Sequence, residues 1–207
     1  MPAWHLWDPE LLKRLPGVVL ADDRPGAPAG NILRAGDREQ AGQVLHGYGS
    51  AWLPAALLGS ERQRDLADAL FAATRHWSVS LHVNKGLAAR DTATNPAVLD
   101  AFALLIGRAE GLPAYPGVPG REPDRAGARR AAAAVEKAMA EIRRLLPTAG
   151  SYLAESDSFE EAWREAFWGP NHARLLAVKD RYDPEGLFVV HHGVGSERWG
   201  ADGFTRL

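Results

Sequence analysis

FWGPNHARLLAVKDRYDPEGLF, residues 167 to 188, is the stretch around which the chain is organised. Gly169-Pro170 halts the helix before it, and Pro170, which lacks an N–H where helices leave that group unpaired, is placed to open the next one. Leu175, Leu176 and Lys179 continue the helical spacing, and Asp183-Pro184-Glu185-Gly186 ends it as a turn. Upstream, Ser158 and Glu161 have capping-box spacing, so a helix is expected from Phe159 with Trp163, Ala166 and Phe167 on one stripe. Downstream, Leu187 to His191 read as a short buried strand, and Trp199 to Phe204 as a tail whose aromatics need something to pack against.

Composition bounds the rest. At 207 residues, 46% hydrophobic and 24% charged, the chain has the length and apolar content of one domain with a sizeable core. A formal charge of −2 and a pI near 6.4 leave no electrostatic footprint for nucleic acid or an anionic membrane, so neither is expected as a partner. There is no cysteine, hence no disulfide framework and no thiolate chemistry. No apolar run reaches bilayer length, and the N-terminus lacks a basic region followed by an apolar one, so the expected location is cytoplasmic.

Along the chain, Pro9 to Leu15 suggest a short helix and Val18 to Leu20 a small apolar run. Residues 22 to 42 are rich in Pro, Gly and Asp and read as an irregular surface segment. Gln43 to Pro54, with Leu45, Tyr48, Trp52 and Leu53, is expected as a strand that Pro54 ends. Ser60 and Gln63 form a second capping box before a helix bearing Leu66, Ala69, Leu70 and Ala73. Asn95-Pro96 reads as a cap and first position of a buried helix with Val98, Leu99, Phe102, Leu105 and Ile106. Leu112 to Pro123 is a Pro/Gly loop in which Tyr115 is either an anchor or a lid residue, the anchor being favoured because aromatics bury area. A long alanine-rich helix from Asp124 to Leu146 follows, with Val135, Met139, Ile142 and Leu146 on one stripe and its arginines and lysines on a solvated face.

From Trp77 to Asn84 the apolar Trp77, Val79, Leu81 and Val83 alternate with Ser78, Ser80, His82 and Asn84. A strand here puts one face into the core and aligns four polar groups on the other. Pattern alone favours water as what those groups meet.

A resemblance gives them another reading. Tyr152-Leu153-Ala154-Glu155-Ser156-Asp157, then Phe167-Trp168-Gly169-Pro170-Asn171, then Arg174-Leu175 and Lys179 before Tyr182-Asp183-Pro184, resemble the C-terminal signature of FAD-linked oxidases similar to berberine bridge enzyme. Gly195-Ser196-Glu197, Trp199 and Asp202-Gly203-Phe204 resemble the tail of bacterial members, and LHVNKGLA at 81 to 88 their strand leading into a glycine turn over the flavin. Ala154 and His172 depart from the asparagine and the aromatic more usual at those places. The resemblance implies an α+β fold, an antiparallel sheet with helices packed on one side. It divides the chain into a partial substrate-binding domain, 1–149, and a C-terminal segment, 150–207, that packs against a flavin-binding domain. No such domain is recognisable here, so a separate flavin-binding domain or chain is the expected partner, a small molecule the expected substrate, and the chain alone is expected to be inactive.

The reaction so implied is oxidation of an alcohol or similar CH–OH group by hydride transfer to FAD, with a base taking the proton. The resemblance makes Tyr152 the first choice for that base, or for orienting the hydroxyl, and sets it beside the ring. A free phenol has a pKa of about 10, so it needs a cation or a relay, and His82, with an ordinary value of about 6.5, is its natural partner. Asn84 and Glu155 are the substrate-binding candidates, although Glu155 reads equally as a surface acid in a helix-entry loop. Asn171 matches the family asparagine near the flavin and reads equally as a first-turn residue bonded to backbone. His191 and His192, if adjacent on a strand, point to opposite faces and cannot chelate one ion. Nucleophile-elbow, Walker and GxGxxG sequences are missing. The competing function is a non-catalytic remnant that acts as a binding or interaction module.

Overall fold

A computed structural model describes residues 9–22, 25–28, 31–34, 42–83, 92–200 and 202–207. Contacts divide the chain into two units, Met1–Leu45 with Glu110–Arg125, and His46–Ala109 with Ala126–Leu207. The first holds a one-turn helix α1 (Pro9–Leu12) and an antiparallel pair, β1 (Val19–Ala21) and β2 (Ile32–Arg34), with Leu20 opposite Leu33. In it Tyr115 lies over Gly42, where an added Cβ would come within 2.1 Å of the phenol oxygen, while the residue as a whole is 45% exposed.

The second unit is built on β3 (Val44–Pro54), α2 (Gln63–Thr74), β4 (Val79–His82), a short α3 (Ala97–Asp100), β5 (Ala101–Gly111), α4 (Arg125–Leu145) and α5 (His172–Tyr182). Its sheet is three-stranded and antiparallel, in the order β3-β5-β4, with Val79 opposite Gly107 and His82 opposite Leu104. The Ser60–Gln63 box does not cap α2: its N-cap is Arg62, with no side-chain cap bond, and the Gln63 amide donates to the Leu58 carbonyl instead.

The strand β5 is the main departure from the sequence reading. Phe102, Leu105 and Ile106 were expected in a buried helix, and they lie in Ala101–Gly111, the central strand. Its run from Ala103 to Gly107 is buried at every position, so no alternation marks it, and an apolar run buried on both faces carries no period that separates strand from helix. Only the first turn, Ala97–Asp100, is helical.

Alternation does sort the two faces of β3. Gly47, Gly49, Ala51 and Leu53 turn toward the helices, and His46, Tyr48, Ser50 and Trp52 turn away. On the helix side Leu53, Leu57, Leu66, Ala73, Leu105, Val135, Met139 and Ile142 form one core, as the stripes of α2 and α4 predict. Glycine lets α4 come close. A Cβ at Gly47 would stand 3.0 Å from the Ala132 Cα, and one at Gly49 2.9 Å from Met139 Cγ. Both helices therefore lie on one side of the sheet.

The C-terminal part corrects three further expectations. Residues 157–162 are turns, because Asp157 and Glu160 accept from the N–H groups of Phe159 and Ala162, and regular helix begins only at Trp163, passing into a π-helical turn over Arg164–Trp168. Leu187 to His191 form no strand: Leu187, Phe188 and Val190 are 80%, 77% and 67% exposed, and Asp183 accepts from the N–H groups of both Leu187 and Phe188. His191 and His192 are consequently not on opposite faces, since a left-handed backbone at His192 (φ 59°) stacks the two rings at 3.7 Å. Of the tail aromatics, Trp199 packs over Gly186, whereas Phe204 is 90% exposed. No helix among the described residues is long and apolar enough to cross a membrane.

Candidate active site

The face of the sheet that turns away from the helices carries the candidate site. Three successive side chains of β3 hold the segment that follows α4. Trp52 sets its ring 6.2 Å from that of Tyr152. The Ser50 hydroxyl bonds to the Ser151 hydroxyl at 2.8 Å and accepts the Tyr152 N–H at 3.0 Å. Tyr48 donates to Glu155 Oε1 at 3.3 Å. A backbone bond from the Trp52 N–H to the Gly150 carbonyl starts the run. Residues 150–155 are thus laid along β3 in the reverse direction, one contact per outward-facing rung.

The Tyr48 phenol lies between the Glu155 carboxylate and the Arg108 guanidinium. Burial chiefly, and then the Glu155 charge, push its pKa up from the ordinary value, while Arg108 pulls the other way. Tyr48 therefore stays protonated and able to donate.

On the far strand, Ser80 pairs with Ile106 and His82 with Leu104, which puts both on the same face as Tyr48, Ser50 and Trp52, with β5 between. His82 Nε2 lies 3.1 Å from the Ser80 hydroxyl, and the His82 ring is exposed. Tyr152 and His82 therefore share a face, on opposite flanks of the central strand. Asn84, and the Lys85-Gly86 turn with it, lie outside the described residues.

Asn171 takes the structural course open to it. Its amide donates to the carbonyls of Thr92 and Thr94 at 3.1 and 2.9 Å, pinning residues 92–94 to the turn before α5. Asn95 was read as a helix cap only. It does accept from the Ala97 N–H, but its amide also donates to the Glu165 and Ala166 carbonyls, and at 4% exposure it is a buried hub. A Cβ on Gly150 would come 2.8 Å from it and one on Gly169 3.0 Å, so both glycines are required where they stand. Tyr48, Ser50 and Trp52 were not singled out as site residues either. The alternation of small with polar or aromatic residues from His46 to Leu53 was the signal that could have found them.

A planar aromatic ligand suits part of this surface. Trp52 and Tyr152 form an aromatic wall, and the buried Trp52 indole N–H meets no acceptor among the described residues, as a donor awaiting a ligand would. The Asn171 amide does not fit the same use, because its donors are engaged with backbone.

Residues 151–195 match the family model described as berberine and berberine like. A 56-residue stretch, 27% of this chain, is 50% identical to the FAD-linked oxidoreductase notD' of Aspergillus versicolor but spans 9% of that protein. Another of 61 residues, 30% of this chain, is 48% identical to the VAO-type flavoprotein oxidase VAO615 of Thermothelomyces thermophilus and spans 11% of it. The crystal structure of the VAO-type flavoprotein MtVAO615 from Myceliophthora thermophila C1 matches 74% of this chain with a TM-score of 0.56 and 26% identity, and only 28% of that chain is covered. The proteins it resembles are FAD-linked oxidoreductases and VAO-type flavoproteins. This chain is similar to a C-terminal portion of them, spanning roughly a tenth of the curated relatives named and about a quarter of the solved one.

Proposed function

We propose that the chain is the substrate-side half of an FAD-dependent oxidoreductase that oxidises an alcohol or similar CH–OH group, completed by a flavin-binding domain or chain. The observation that carries this reading is the seating of residues 150–155 along β3, within the segment that matches the berberine-like model and on the face that also bears His82. FAD, when bound, accepts the hydride. The chain's own residues would do the rest. Tyr152 orients the substrate hydroxyl or takes its proton, His82 stands as the second acid–base group across β5, and Glu155, anchored by Tyr48, binds a substrate hydroxyl, with Asn84 beside His82 in sequence. Tyr152 and the Trp52 indole N–H border the flavin. The exposed Leu187, Phe188 and Val190 support contact with a flavin-binding domain, since apolar side chains close together in the chain ask for cover.

The test is reconstitution. The purified chain is mixed with FAD and a flavin-binding domain encoded beside it, and the visible flavin band and its bleaching by candidate alcohols are followed. Retention of the yellow colour with the complex, and a rate that Tyr152→Phe lowers by about a hundredfold or more, is the expected result. A chain that leaves FAD free under all these conditions is a non-catalytic binding module instead.

A further inference from the structure

Two of the seven histidines, neither of them used in the reading above, meet on one buried indole, and a third stacks on one of the two. Trp163 is 8% exposed. His172 meets its ring edge-on at 5.6 Å, and His192 lies nearly parallel to it at 5.4 Å and 12°. The Arg164 guanidinium sits 4.7 Å over the same ring. His191 stacks on His192, and Phe167 touches His192 at 5.8 Å. To make these contacts His192 adopts a left-handed backbone, the one non-glycine to do so among the described residues, at a cost of order 1 kcal/mol that the stacking must offset. Two bonds fasten the pair to the preceding segment: Trp168 Nε1 donates to the His192 carbonyl at 3.3 Å, and His191 Nε2 lies 2.7 Å from the Ser158 carbonyl oxygen.

We infer that the stacked His191–His192 pair is an acid-sensitive latch, which holds residues 189–195 against the Trp163 segment when His192 is neutral and releases them when it is protonated. The inference stands on the packing and is independent of the functional reading. A cation at His192 would have to form in a part-buried position, 3.7 Å from a second imidazole ring. Burial foremost, and then the nearby His191, hold the His192 pKa below its ordinary value, against the opposing pull of Glu160 and Asp157. Arg164 adds a positive charge beside Trp163. On the other edge of the cluster, His172 Nε2 lies 3.3 Å from Glu197 Oε1. The neutral form is thus favoured in the closed state. Stability of the latch is fully present above the ordinary histidine value of about 6.5 and is lost as pH falls from there through the lower, closed-state value.

The test is hydrogen exchange of the Gly193 amide and the Trp168 indole N–H, which donate to the Val190 and His192 carbonyls, in the intact chain, corrected for the intrinsic effect of pH, from about pH 7.5 down to about pH 5. Protection in the wild type should fall about tenfold for each pH unit between the open- and closed-state values, while the α4 amides stay protected. In His192→Phe, which stacks without titrating, the pH dependence should vanish. In His192→Asn, which accepts the left-handed backbone but neither stacks nor charges, the segment should be open at every pH. The inference is overturned if wild type and His192→Asn show the same pH dependence, or if the wild-type segment stays protected throughout.

Discussion

The two faces of the three-stranded sheet are built on opposite rules. Toward α2 and α4, glycine and mostly aliphatic side chains close a core in which Leu53 and Leu105 are 0% exposed. Away from them, the same strands present Tyr48, Ser50, Trp52, Arg108, Ser80 and His82. The first face is finished by the chain's own helices. The second is finished along β3 by residues 150–155, is also closed over Leu104 and Ile106 of β5, and keeps a buried indole N–H with no acceptor among the described residues. A protein spends buried polar groups where something must be recognised or moved, because an unsatisfied one costs about 1–3 kcal/mol and a purely structural sheet would replace it with an aliphatic side chain.

Substitution can break that contrast. The largest effect is expected from Leu105→Ala, which empties the middle of the sealed face and should lower unfolding stability by about 2–5 kcal/mol, read from the shift of the urea midpoint. Ser50→Ala on the other face removes the bonds to Ser151 and to the Tyr152 N–H, and should cost about 1–2 kcal/mol, with the Tyr152 amide resonance moving more than any in α4. A cost equal to that of Leu105→Ala would mean that the second face is ordinary core. The smallest effect sharpens the comparison without touching stability at neutral pH. Glu155→Gln removes a charge that raises the Tyr48 phenol, so the ultraviolet titration of that tyrosine, assigned by difference from Tyr48→Phe, should move down toward about 10. Because the Tyr48 value is raised in the folded chain, its contribution to stability is present below about pH 10 and lost as pH rises through the folded value, and the variant, with a smaller difference between folded and unfolded values, should lose less.

The residues that declared themselves in sequence did so through local rules. The long α4 was readable from a stripe at helical spacing, and Val135, Met139 and Ile142 are buried where that stripe put them. β3 was readable from its aromatic and aliphatic content and the closing proline, and β4 from its alternation, although the strand is only Val79–His82 and the expected core face is not closed, with Leu81 44% and Val83 74% exposed. The order Tyr152, Gly169-Pro170-Asn171, Lys179, Asp183 carried the family resemblance, and α5 follows the proline as expected. The capping boxes at Ser60 and Ser158 failed for a shared reason: Gln63, Asp157 and Glu160 found nearer backbone groups. His82 and Tyr152 were chosen separately, and their common face was not visible until β5 was known to lie between them.

Length, charge, the helical stripes, the turn at Asp183-Gly186 and the oxidoreductase likeness were determined by the sequence alone, because each depends on neighbours within a few residues or on the order of motifs. Only the tertiary structure decided that Ala101–Gly111 is a strand, that Asn171 and Asn95 serve the backbone, and that Tyr48, Ser50 and Trp52 seat Tyr152. The physical reason is one of range. A run buried on both faces has no period of its own, and the partner of a buried polar group is set by contacts about a hundred residues away, such as Ser50 with Ser151, which no local pattern encodes.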